Sequence, residues 1–345
     1  MYLCSIKLET SGQVRVKITV PVLHTVRSAG GSFFFNLFVM DKKPKSIETQ
    51  IQLLKYRGMI LKDEDFAKYH LGRISYFRLK GYWWDMQSDR VNHIFKPNTC
   101  FEDVINIYNF DKDLRLILFD AIETIEITLR TKLIYYMSMS YGGLWYVNEK
   151  LFNDKEKHHK HIGELLVEFN RSGENFVKEY RAKHNITVID SSNTNLFPKS
   201  WVIFEVATFG TLSKIYKNLN HQLPEKSMIA KDFGLNMHNE LSSWLESISL
   251  LRNIVAHHSR IWGRKMVKKP AFGNSQRNAW LKSISSVQEN QPYFVISTML
   301  YLCNSINANN ALKAKIYNLF NAYKAIPIYK IGFFNHWETE PLWRI

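Results

Sequence analysis

One stretch of this chain has no acidic residue. Between residues 247 and 288 there is no Asp or Glu, yet Arg252, Arg260, Arg264, Lys265, Lys268, Lys269, Arg277 and Lys282 all fall there. Glycine (15) and proline (9) are scarce for 345 residues, which disfavours a loop-rich sandwich or barrel and favours long helices. Cysteine is nearly missing. Cys4, Cys100 and Cys303 are far apart and odd in number, so they form neither a disulfide framework nor a zinc-ligand pattern and read as thiols of a reducing compartment. No apolar run reaches the ~20 residues of a membrane span; residues 32–40 are too few, and no cleavable signal precedes them. The cytoplasm is the expected location.

What is present points to a helical globule with a polyanionic partner. Hydrophobic content of 46% against 22% charged rules out wholesale disorder. Forty-six Lys and Arg against 31 Asp and Glu leave a formal charge of +15. Nucleic acid answers to such an excess through counterion release. An anionic membrane would answer too, but the basic residues 261–269 are too short and broken for an amphipathic membrane helix.

Residues 1–40 read as an N-terminal extension, weakly alternating in Val14-Arg-Val-Lys-Ile-Thr-Val20 like a hairpin arm. Met40, followed by Asp-Lys-Lys-Pro-Lys, resembles a natural start. Residues 41–345 are expected to form a single helical domain, with 41–110 as an accessory part and 111–270 as the core. Ser46 opens one helix, ending near Gly58, and Asp63-Glu-Asp opens another with acids in its first turn. From Leu114 to Met137 apolar residues cover most of a helix circumference, predicting a central buried helix. Its polar stripe is Asp113, Asp120, Glu123, Glu126 and Arg130. Glu126 and Arg130, four apart, form a structural ion pair, or the stripe lines a polar groove facing the active-site helix. Residues 150–183 predict exposed helices, with His158-His-Lys-His161 as solvated histidines, since no matched carboxylate or cysteine accompanies them. A polar connection over 185–200 ends at Pro198. The apolar residues 201–219 follow, with Gly210 as a break, then an amphipathic helix through Leu241, Trp244, Leu245, Ile248, Leu251 and Val255. Residues 292–323 supply one or two more helices. No repeat and no glycine-rich phosphate loop occurs.

Two clusters carry chemistry. Gly72-Arg-Ile-Ser-Tyr-Phe-Arg-Leu-Lys-Gly-Tyr-Trp-Trp84 interleaves Arg73, Arg78 and Lys80 with aromatic rings. Such a pattern suits single-stranded RNA, or equally a buried aromatic face with its cations in water. Leu251-Arg-Asn-Ile-Val-Ala-His-His-Ser-Arg-Ile-Trp262 is the denser cluster. Asn253 and His257 share a helix face, and Arg260 follows one turn later. Imidazole moves protons near neutral pH and guanidinium holds a phosphate in two-pronged fashion. RNA cleavage needs little more, because the substrate's own 2′-OH is the nucleophile. Arg252 and His257 stand about 140° apart around an ideal helix, so one straight helix does not aim both at one atom. A distorted helix or a second copy would.

Arg252-Asn-Ile-Val-Ala-His257 resembles the signature of HEPN-type ribonucleases: Arg, four to six residues, then His. The chain as a whole is similar to the AbiD/AbiF abortive-infection family. The resemblance is carried by Leu79-Lys-Gly-Tyr82, Ala121-Ile-Glu-Thr-Ile-Glu-Ile-Thr-Leu-Arg130, Trp201-Val-Ile-Phe-Glu205, Phe209-Gly-Thr-Leu-Ser213 and residues 251–262. It implies an all-α, HEPN-like bundle that dimerises to bring two motifs together. It also implies a toxin-like, metal-independent endoribonuclease of antiviral defence, in which Arg252 binds the scissile phosphate and His257 is the general acid/base. Asn253 would position one of them, and His258, Glu126 and Arg130 could support. Arg73, Arg78, Lys80, Arg260, Arg264, Lys265, Lys268 and Lys269 are the expected RNA contacts. RNA, as substrate and as a small structured companion, is the expected partner; no cofactor, metal or membrane is. The alternative is a non-catalytic RNA-binding regulator on the same scaffold. Nucleotide transfer or protein modification is disfavoured by the missing nucleotide-binding loop.

Overall fold

A computed structural model of the chain describes residues 44–345, apart from Ser192, Ser283, Ser286, Val287 and Ile345. The expected N-terminal extension, its hairpin arm and the proposed start at Met40 lie outside the described residues. Residues 45–345 cluster as one unit.

Twelve α-helices are found among the described residues: α1 (Ile47–Tyr56), α2 (Glu64–Leu71), α3 (Tyr76–Trp83), α4 (Phe101–Tyr141), α5 (Lys155–Arg171), α6 (Asn175–His184), α7 (Ser200–Ile203), α8 (Phe209–Asn218), α9 (Pro224–Asp232), α10 (His238–Ala256), α11 (Pro292–Ile306) and α12 (Leu312–Ala322). The only sheet among them is a short antiparallel hairpin, β1 (Gln87–Asp89) with β2 (Ile94–Phe95). Asp89 makes its turn by accepting from the N–H groups of Val91 and Asn92 at 2.8 and 3.0 Å. The fold is all-α, as composition predicts. No described helix is long and apolar enough to cross a membrane.

Helix starts follow local chemistry. The side chains of Ser46 and Asp63 accept from Thr49 and Phe66 N–H, as expected of N-caps. α4 is longer than its apolar run: 41 residues, about 60 Å, with Glu102 and Asp103 in its first turn and Gly142 at φ 76° ending it. It is the axis of the unit, and α3, α8, α9, α10, α11 and α12 pack on it. Its buried face runs Phe110, Leu114, Leu118, Ile122, Ile125, Leu129, Leu133 and Met137. Burial is not complete around it, however. Leu116, Phe119 and Ile127 stay 63, 44 and 50% exposed, because the helices cover only part of its circumference.

Two further expectations are corrected. The break in residues 201–219 is not at Gly210, which lies inside α8. It comes at Ala207 and Thr208, where Thr208 caps α8 by accepting from Thr211 N–H. Glu168 of α5 reinforces that start by accepting from Thr208 N–H and from the hydroxyls of Thr208 and Thr211 at 3.0, 2.9 and 2.8 Å. Nor are all the clustered histidines solvated: His158 and His161 are buried on the inner face of α5 with Leu165 and Phe169. His158 Nε2 donates to Tyr146 O at 2.8 Å and its ring stacks on Phe152. Burial lowers the pKa of both histidines.

Candidate active site

α10 buries Leu241, Trp244, Leu245, Ile248, Leu251 and Val255 against α4, α8, α9 and α11, the periodicity read from the sequence. Its other face carries Glu246, Ser249, Arg252 and Asn253, which form one wall of a groove of about 800 Å³. The floor is α8, through Gly210, Thr211, Ser213, Lys214 and Lys217, and the opposite wall is α5. α8 is secured at both ends, by Glu168 at its start and by buried Lys226 at its finish. Lys226 Nζ donates to Lys217 O and Leu219 O at 3.0 and 2.7 Å, and burial pushes its pKa down to about 8.

Arg252 is half-buried beside α4. There Glu126 and Arg130 form the expected i, i+4 pair at 3.1 Å. Burial raises the Glu126 pKa, against the pull of Arg130 and of Arg252. The Arg130 guanidinium also holds Phe204 O and Ala207 O at 2.9 and 3.0 Å, closing the chain into α8. The structural ion pair is therefore present, while neither Glu126 nor Arg130 is among the residues that line the groove. Arg130 is spent on the scaffold, while Glu126 faces the field of Arg252.

α10 stops through a specific device. His257 N–H still bonds Asn253 O at 3.1 Å; His258 N–H then turns back to Val255 O at 2.9 Å and Ser259 N–H to Ile254 O at 2.8 Å. These paired reversed bonds close a helix through one left-handed residue, usually glycine. Here that residue is His258, at φ 54°. His257 and His258 are both exposed. Because the helix is regular through His257, this imidazole leaves α10 about 140° from Arg252. The groove is lined by Arg252 and Asn253, and neither His257 nor His258 lines it. One chain thus gathers Arg252, Asn253 and Glu126, and holds His257 and His258 around the corner.

Beyond the turn the chain is locked down. Buried Asp111 of α4 accepts from Ile261 and Trp262 N–H at 3.0 and 2.7 Å, from Tyr82 hydroxyl at 2.7 Å, and from Arg115. Burial pushes the Asp111 carboxyl upward, and Arg115, Tyr82 and the two N–H groups pull it back. Arg78 of α3 donates to His258 O, and Arg260 donates to Gly81 O. Sequence reasoning missed Asp111 and Arg115. Their signal was an Asp and an Arg four apart, in register with Phe110, Leu114 and Leu118.

The expected RNA contacts separate into groups. Arg78 and Arg260 are engaged by backbone carbonyls, and Arg264 Nε donates to Arg260 O at 2.7 Å. Lys268 and Lys269 pair with Glu246 and Glu289 at 2.7 and 2.5 Å, so folding returns to the basic segment the acids that flank it in sequence. Arg73 lies over the Tyr69 ring at 3.7 Å and Lys80 over Trp84 at 5.7 Å. Lys265 is exposed. In the aromatic segment Tyr82 and Trp83 are core, while Phe77 is 84% exposed.

The sequence model of a family described as Abi-like protein matches residues 69–263. The match runs from α2 past the turn that closes α10, and so takes in the groove, Arg252 to His258 and the Asp111 cluster. No curated protein and no solved structure matches the chain. The chain belongs to the Abi-like protein family.

Proposed function

We infer from membership of this family that the chain serves abortive-infection defence. We propose that it acts there as a metal-independent, HEPN-type endoribonuclease working as a homodimer in the cytoplasm. The observation that carries this reading is the end of α10. It puts a guanidinium and an amide in one wall of an open groove, and two exposed imidazoles at the turn that follows. In the reaction, the 2′-oxygen of RNA attacks the adjacent phosphorus as the P–O5′ bond breaks, giving a 2′,3′-cyclic phosphate. One proton leaves the 2′-OH and one reaches the departing 5′-oxygen. Arg252 holds the phosphate and stabilises its added charge, Asn253 orients it, and His257 moves a proton. The 140° between Arg252 and His257 favours two copies, each lending one group to the other's motif. Leu116, Phe119 and Ile127 are exposed on α4, the helix that carries Glu126 beside Arg252, with Asp120 and Glu123 between them, and this mixed face is the one we assign to that second copy.

Purified protein incubated with structured and unstructured RNAs in excess EDTA tests this. We expect cleavage leaving 2′,3′-cyclic ends, reduced at least 100-fold by His257→Ala and by Arg252→Ala with helical circular dichroism intact. Equal cleavage by the variants would remove the motif from the chemistry. Salt-sensitive RNA binding without cleavage by any of the three would favour an RNA-holding regulator.

A further inference from the structure

We infer that Arg78 and Asp111 are positioning residues for His257. They act through the backbone of the turn that follows it, and Arg78 is not an RNA contact. This rests on the proposed role of His257. Three separate ties converge on residues 258–262. The guanidinium of Arg78 donates to His258 O. The carboxylate of Asp111 takes the N–H groups of both Ile261 and Trp262. Arg260, within the same segment, reaches back to Gly81 O on α3. α3 and α4 thus grip the strand of chain leaving α10 from two directions, one helix by carbonyls and the other by N–H groups.

The grip acts where the backbone is least self-sufficient. A left-handed histidine lacks the freedom of glycine at such a helix end, so the φ of 54° at His258, closed by the turn's own two backbone bonds, gains from a hold on the adjoining backbone. The neighbouring Arg78 bond supplies that hold at the same residue's carbonyl. An exposed imidazole on an untethered helix end would sample many directions, and a misplacement of ~1 Å costs about 100-fold in rate. Asp111 is suited to the task because its own environment is fixed. Its side chain is 0% exposed, paired with Arg115 on the next turn of α4 and hydrogen-bonded by Tyr82 of α3. The Arg78 guanidinium lies over the Tyr108 ring at 5.8 Å. A methionine there keeps the packing and removes the donor.

The test compares wild type, Arg78→Met and Arg78→Lys in the full chain by amide hydrogen exchange, RNA affinity and single-turnover cleavage. Positioning predicts that His258 and Ser259 amides exchange at least tenfold faster in Arg78→Met, and that Arg78→Lys restores much of the protection. It also predicts that the cleavage rate drops roughly 10- to 100-fold while RNA affinity and its salt dependence stay unchanged. Exchange unaltered at those two amides overturns the inference. So does weakened RNA binding with a shallower salt slope and an unchanged rate, which would make Arg78 a phosphate contact. Should wild type cut no RNA at all, the ribonuclease reading falls by itself, and the exchange measurement still decides whether Arg78 fixes the turn.

Discussion

On the α4 side of α10's end, Asp111 and Arg115 leave 0 and 6% of their side chains in water, and hydrogen bonds to Tyr82, Ile261 and Trp262 complete the carboxylate. On the groove side, the pairs Lys157–Asp154, Lys214–Glu164 and Lys217–Glu246 leave the lysines 67, 51 and 56% exposed. Charge of the same kind does opposite work in the two places. A buried pair whose every lone pair is engaged fixes a backbone. An exposed pair contributes little to stability and gives up its lysine readily to another anion. The chain thus combines a buried, hydrogen-bonded mount behind the end of α10 with an exposed, ion-paired surface along the groove.

The sharpest way to break that contrast is Asp111→Ala. It orphans the Arg115 cation and two backbone N–H groups in a dry interior, and removal of one partner of a buried pair costs about 3–5 kcal/mol. Urea denaturation followed by circular dichroism should show an unfolding free energy lower by that amount. A loss under ~1 kcal/mol would mean that water replaces the carboxylate and that the mount is no more rigid than the groove.

Much of the scaffold was legible before the structure. Ser46 and Asp63 marked their helix starts, α10 its buried stripe, and Glu126 with Arg130 their pairing, because each is a statement about neighbours within one or two turns. α4 read short because Asn106, Asn109, Asp111 and Asp113 interrupt the apolar pattern before Leu114, and packing of α3 and α12 decides those turns instead. Gly210 misled because glycine weakens a helix by only about 1 kcal/mol, while the Thr208 cap and the Glu168 carboxylate fix the start two residues earlier. His158 and His161 sat in register with Leu165 and Phe169, yet their polarity argued for water; a carbonyl acceptor, Tyr146 O, made burial of His158 tolerable. At the site, the residues of the motif were visible and their surroundings were not. Asp111 reaches partners 150 residues away, and Lys268 finds Glu246 22 residues back, and neither distance has a local signature.

Acid should sharpen the comparison from the groove side. His158 and His161 are buried on the inner face of α5, the opposite groove wall, with pKa values lowered by burial. As pH falls through ~6.5, the unfolded chain takes up protons that the folded chain refuses. Stability therefore declines below that point, by at most about 1.4 kcal/mol per pH unit for each histidine, until the folded-state values are reached. A thermal series from pH 8 to 5 should show a steeper fall for wild type than for His158→Gln. α5 amides should lose protection before those of Ile261 and Trp262. Parallel curves for the two proteins would assign the acid sensitivity elsewhere.

The smallest expected change is the most informative about the groove. Lys214→Ala removes a floor lysine whose pair with Glu164 spans 2.8 Å at the surface, and stability should move by under about 0.5 kcal/mol. If single-stranded RNA runs along α8, that lysine's exchange of Glu164 for a phosphate contributes one counterion. The slope of log affinity against log salt should then become shallower by about 0.7 in the variant. The cleavage rate at saturating RNA should hold, since Arg252, Asn253 and His257 are untouched. An unchanged slope would direct the RNA to the cations the fold leaves outside the groove, Arg73, Lys80 and Lys265. The exposed pairs of α5 and α8 would then be surface decoration, and the mount alone would carry the function.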